Sequence, residues 1–155
     1  MLYQWIDNTV KLKETLFQLQ STSKANWGRM DAQQMIEHLI LVVEISNGTL
    51  DVEVLTPEKY IEKSQAFLMS NEVLPKNFVA KFIPEDPVAH RYEDLQSAIR
   101  AFCISITLYH SYWDGKEEST RNHPVFGKLN KVMWDQVHNK HISHHLLQFG
   151  LSTAV

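Results

Sequence analysis

Between Leu95 and Trp113 the chain sets Leu95, Ile99, Phe102, Ile106, Tyr109 and Trp113 at alternating steps of four and three. That spacing lays one apolar stripe along a helix and is the seam of a helical bundle. No stretch of the chain shows the two-residue alternation of a half-buried strand. A helix is expected from about Tyr92 to Trp113, closed by Asp114-Gly115. A second runs from the cap Asp31, where Gln34 completes a capping box and Met30 and Met35 form a staple, to Asn47-Gly48. A third starts at the cap Asn130, with Leu129 and Trp134 as staple, and ends at Gly150. Trp5, Leu12, Leu16 and Leu19 predict a helix over about Tyr3 to Gln20, broken by Ser-Thr-Ser. Thr56-Pro57-Glu58 starts a shorter helix, to about Leu68. Pro75, Pro84 and Pro87 predict an irregular segment wrapping the outside. The expected architecture is all-α: a four-helix bundle with an extra short helix and an irregular stretch between its second and third long helices.

At 155 residues the chain is expected to form one domain spanning 1–155. Lys plus Arg number 15 against 18 Asp plus Glu, a net charge of −3, which argues against a nucleic-acid partner. The lone Cys103 excludes an intramolecular disulfide framework and any Cys-rich zinc module. Leu39 to Val43 is the longest aliphatic run and is far too short to span a membrane. The start lacks the basic flank and apolar run of a secretory signal, so a reducing cytoplasm is expected. Histidine is the unusual count: eight in all, five of them between His123 and His145.

On a helical wheel of the last helix, His141 and His145 fall on the same face as Trp134 and Phe149. His144 falls at the edge of that face, and Gln136, Lys140 and Ser143 on the far side. Two histidines four residues apart are neighbours one turn on, and both imidazoles can reach one ion. The helix after Asp31 has the inward stripe Met35, His38, Val42 and Ile45, which gives His38 a core-facing position. A bundle that brings one histidine from one helix to two from another closes a three-histidine site. Such a set suits zinc, nickel, copper or iron.

Each histidine also has a plainer reading. A lone buried histidine is more often a hydrogen-bonded core residue than a ligand. His90, His138 and His144 read as surface or rim residues. His123 reads as a brace for the turn at Pro124, or as a group overhanging the pocket, and His110 as rim. Three imidazoles without partners in an apolar core would cost roughly 1–3 kcal/mol each, against a total stability of roughly 5–15 kcal/mol. A shared ion removes that cost.

The stretches WGRMDAQQMIEHL (27–39), FLMSNEVLPKNF (67–78), NHPVFGKLN (122–130) and KHISHHLLQFGL (140–151) together resemble the DinB-like (DinB/YfiT) superfamily, in particular a small branch with WGxM, HPxFG and HHxxQFG motifs. The resemblance implies a bundle in up-down-down-up order. It implies a divalent metal held by one histidine of the second helix and an HxxxH pair of the last, which are His38, His141 and His145 here. It further implies activities of the thiol-dependent S-transferase, maleylpyruvate isomerase-like or metal-dependent hydrolase kind. The HPVFG segment belongs to the branch, and the superfamily assigns it no role.

The leading expectation is a metal-dependent enzyme acting on a small molecule, with zinc or nickel in the site and a low-molecular-weight thiol as a further cofactor of the transferase reading. Gln148, Tyr109, His110, His123 and Trp134 are the expected pocket or supporting residues. Glu37 and Glu44 lie off the inward stripe and are expected on the solvated face, which leaves no carboxylate marked as general base. The alternative is a non-catalytic module binding a small ligand or a partner, with a structural or vestigial metal. A pH-sensing histidine cluster ranks third, and a homodimer stays open.

Overall fold

The computed structural model describes residues 3–76 and 88–151. Asn77, Phe78, Pro84 and Pro87, named above, lie outside the described residues. The elements are α1 (Thr9–Leu16), α2 (Ala32–Ser46), α3 (Glu58–Met69), α4 (Leu95–Trp113), a hairpin of β1 (Arg121–His123) and β2 (Gly127–Leu129), and α5 (Lys131–Gln148). The fold is all-α, a helical bundle carrying one very small antiparallel sheet.

Directions follow from residue pairs. Glu37 meets Arg91 and Tyr92 before α4 begins, and the Ser46 carbonyl accepts the Trp113 indole N–H at the far end, so α2 and α4 run parallel. His38 meets His141 while Ser46 meets His138, so α5 runs against α2. Ile6 meets His110 and Lys13 lies near Cys103, so α1 runs against α4. The order is up, down, down, up.

The caps expected at Asp31 and Asn130 are present, each side chain accepting the N–H three residues on, and Gln34 completes the capping box. α5 ends in a Schellman motif: Leu151 N donates to Leu146 O, Gly150 N donates to Leu147 O, and Gly150 has φ 68°.

The first helix departs from expectation. A 3-10 turn at Trp5–Asp7 precedes α1, which holds 8 residues. Asn8 is the cause, because its side chain caps the Lys11 N–H while its own backbone, at ψ 67°, leaves the helix. The far end tightens into 3-10 bonds from Gln18 to Thr15 and Leu19 to Leu16, so the helix stops before Ser21. The Tyr92 start also moves, to Leu95, because Asp94 caps the Ser97 N–H.

The hairpin was not expected, since three-residue strands are too short to show a period. Its turn is the HPVFG segment. His123 Nδ1 accepts the N–H groups of Val125 and Phe126, and Gly127 turns the chain at φ 80°. The Pro124 carbonyl accepts from Leu55 and Thr56, and Phe126 O accepts from Gln65 of α3. The segment therefore fastens α3 and the loop residues Leu55 and Thr56 before it to the start of α5.

α5 is covered on several sides, which corrects the single inward face drawn on the wheel. Asn139 Oδ1 accepts the Ile6 N–H at 3.0 Å while its Nδ2 donates to Gln4 at 2.9 Å, and Ser143 accepts the Trp5 indole N–H at 3.0 Å. Lys140, expected to face solvent, is 2% exposed and donates to the carbonyls of Ser70 and Glu72.

Candidate metal centre

His38 is the second position of α2's inward stripe, after Met35, and His141 and His145 lie one turn apart in the last half of α5. The antiparallel packing of these helices brings all three rings together. His38 Nε2 is 2.8 Å from His141 Nε2, and His145 Nε2 is 2.9 Å from the same atom. One nitrogen from each residue lies within 4.8 Å of the others, an arrangement that could hold a metal ion.

A chain of hydrogen bonds sets the tautomer of His145. Gln148 Nε2 donates to the Trp27 carbonyl at 2.9 Å, which leaves Oε1 as the atom facing His145 Nδ1 at 2.7 Å. An amide oxygen only accepts, so Nδ1 carries the proton and His145 Nε2 is a bare lone pair aimed at the cluster. His141 Nε2 then stands between two imidazole nitrogens. A ring nitrogen that carries a proton cannot accept, and one without a proton cannot donate, so a single proton cannot satisfy both short contacts along their axes. A shared cation does. Imidazole donors at about 2.0–2.1 Å from a zinc-sized ion stand roughly 3.3 Å apart, so the rings need to part by about half an ångström, a small side-chain adjustment.

The electrostatics point the same way. Burial pushes the His38 pKa down to about 4, with His144 adding to the effect. Burial also lowers His141 and His145 well below the ordinary histidine range, and the neighbouring imidazoles lower them further. The cluster is neutral near pH 7, the protonation state that ligates.

The Trp27-Gly28 turn is part of this assembly, and the sequence had marked it only as a motif. Gly28 adopts φ 82°, and a Cβ there would stand 2.7 Å from Gln148 Nε2. Asn26 N also donates to the Gln148 carbonyl at 2.8 Å. No periodicity reports a loop carbonyl as a partner, and only the joint presence of the Trp-Gly and Gln-Phe-Gly motifs hinted at it.

The other expected pocket residues hydrogen-bond away from the trio. Tyr109 donates to Asp135 at 2.7 Å, and burial beside that carboxylate pushes its pKa up. His110 donates to Ile6 O at 2.9 Å. It also lines an open cleft of about 360 Å³ with Trp113, Asp114, Glu117 and Lys131, which contains none of the three clustered histidines. Trp134 donates to the Arg121 carbonyl and stacks on His138 at 5.6 Å. His123 packs between Phe126 and Trp134 with its pKa lowered by burial to about 3, so it braces the turn.

Two readings of individual residues are corrected. His138, taken as rim, is 2% exposed, and burial lowers its pKa to about 3. Ser46 Oγ donates to Val43 O, so His138 Nε2–H donates to Ser46 Oγ at 2.7 Å. Glu37, taken as solvated, is buried because it accepts the N–H groups of Arg91 and Tyr92 and the Gln33 amide, closing the gap where the chain enters α4.

No curated protein and no solved structure matches the chain. One family model does, over residues 3–151, which is nearly the whole of it. The chain belongs to the family described as a protein of unknown function, DUF1569.

Proposed function

We propose that this protein is a divalent-metal-binding member of the DinB-like superfamily and a metal-dependent enzyme acting on a small molecule, of the hydrolase or thiol-dependent S-transferase kind. The observation that carries the reading is the convergence of His38, His141 and His145 with the His145 lone pair turned inward by Gln148. Zinc or nickel suits three neutral imidazoles, and such an ion supplies a Lewis acid that acidifies water or a low-molecular-weight thiol. The chain's own residues hold and orient the donors: Gln148 fixes one tautomer and the Trp27 carbonyl fixes Gln148. Among the described residues no helix is long and apolar enough to cross a membrane.

One observation favours a second reading, a non-catalytic ligand or partner module with a structural metal. The cluster contains no carboxylate, and Glu37, next in sequence to His38, is engaged by Arg91 and Tyr92. Among the described residues, no carboxylate is therefore in place in the cluster to serve as general base.

The test is elemental analysis of protein purified without a histidine tag, before and after adding zinc or nickel, alongside His38→Ala and His145→Ala. About one ion per chain, lost in both variants, is expected. A parent protein that takes up neither metal sinks the reading. Turnover of an ester, an amide, or a thiol paired with an electrophile separates the enzyme from the binding module.

A further inference from the structure

Trp27 is joined to the trio by more than its carbonyl. Its indole ring lies edge-on to His144 with ring centroids 5.7 Å apart, and His144 lies edge-on to His145 at 5.0 Å. The Lys76 ammonium sits over the indole, 4.9 Å from its centre. The indole N–H itself is buried and has no hydrogen-bond partner, the one such side-chain atom among the described residues. Every other buried side-chain nitrogen or oxygen described lies within hydrogen-bond distance of some partner, as buried polar groups in proteins do. An orphan donor separated from the trio by the single ring of His144 is the kind of group that a ligand completes.

The charge balance says what that ligand carries. The trio consists of three imidazoles and includes no Asp or Glu, so a divalent ion held there keeps its charge. Lys76 adds a further positive group, and the Glu37 carboxylate is turned to the backbone of Arg91 and Tyr92. Among the described residues, the groups named here offer donors and positive charge without an anion to match. One fixed N–H and one flexible ammonium correspond to the two oxygens of a carboxylate, whereas a phosphate calls for more donors.

We propose that the Trp27 indole N–H and the Lys76 ammonium bind the carboxylate of a small-molecule ligand seated against the three histidines, which makes Trp27 a specificity-determining residue. The inference rests on the metal reading of the trio and deepens it by naming the substrate class as small carboxylic acids.

The test uses benzoate as the probe and benzamide as its neutral counterpart, titrated calorimetrically into zinc-loaded and metal-free full-length protein. Zinc affinity is measured in parallel. Trp27→Phe keeps the ring and the backbone carbonyl and removes only the N–H. It is expected to weaken benzoate about tenfold, to leave zinc affinity unchanged, and to leave the weaker benzamide binding unaffected. Lys76→Gln, at an exposed position, is expected to weaken benzoate less and to reduce its salt dependence. It carries the test if Trp27→Phe lowers the unfolding midpoint. Equal benzoate affinity in parent and Trp27→Phe, no preference over benzamide, or no benzoate binding at all overturns the carboxylate site and leaves the metal reading standing. Absence of zinc uptake overturns the metal reading. The carboxylate site then survives only if metal-free protein still binds benzoate with the Trp27→Phe loss.

Discussion

Both ends of the Gln148 amide are engaged, one on the Trp27 carbonyl and one on His145 Nδ1, so a single side chain joins the loop before α2 to the His145 ring of the trio. Replacing it with leucine leaves the His145 N–H without its acceptor and frees the ring to turn. Gln148→Leu is expected to weaken zinc binding about 10- to 100-fold, the usual cost of losing a partner behind a ligand, as read by competition with a chromophoric chelator. Gly28→Ala acts from the other side of the same bond, through a left-handed φ of 82° and a Cβ driven to 2.7 Å from Gln148 Nε2. Strain of this kind costs about 1–3 kcal/mol, and the urea midpoint is expected to fall accordingly, together with zinc affinity. At this scale the sequence was informative where geometry is local. His141, His145 and Gln148 share a helix, so spacing alone placed them, and the α2 stripe placed His38. The Trp27 carbonyl is a loop group held by one tertiary contact, and no pattern of side chains encodes it.

At the scale of elements, boundaries with a side-chain cap were legible, as at Asp31 and Asn130. Asn8 is also a cap, but it sits inside an apolar rhythm that runs through it, and there the periodicity of Trp5, Leu12 and Leu16 concealed the break. α5 presents the opposite difficulty. It lacks a single apolar face because polar side chains on its flanks are buried by hydrogen bonds to other segments: Asn139 and Ser143 to the 3-10 turn, Lys140 to the residues after α3. A wheel sorts residues by polarity and so assigned Lys140 to solvent. Asn139→Ala removes the acceptor of the Ile6 N–H and the donor to Gln4. A loss of about 1–3 kcal/mol is expected for the buried N–H left unpaired. Hydrogen exchange should show the Ile6 amide losing protection while amides in α4 change only with global stability.

For the whole molecule, the buried histidines make stability depend on acid. His123 and His138 have folded pKa values near 3, against the ordinary value of 6.5 for the unfolded chain. Between those limits the unfolded state binds the extra protons, so stability is complete above about pH 6.5 and is lost as pH falls towards 3. Each such group contributes up to about 1.4 kcal/mol per pH unit within the window. Urea unfolding at a series of pH values should show the decline, and His138→Gln should make it shallower even though the variant is less stable at pH 7. The up-down-down-up order was legible as a family resemblance and emerges here from paired residues along α2, α4 and α5. That order has a temporal side. His38 precedes His141 by 103 residues in the chain, and the two meet only when α5 docks against α2. During synthesis the first donor therefore waits, alone and weak, until nearly all the matched region has left the ribosome. An ion held by all three histidines would be captured only once α5 has docked, and a chain cut short before α5 would keep His38 alone of the three donors.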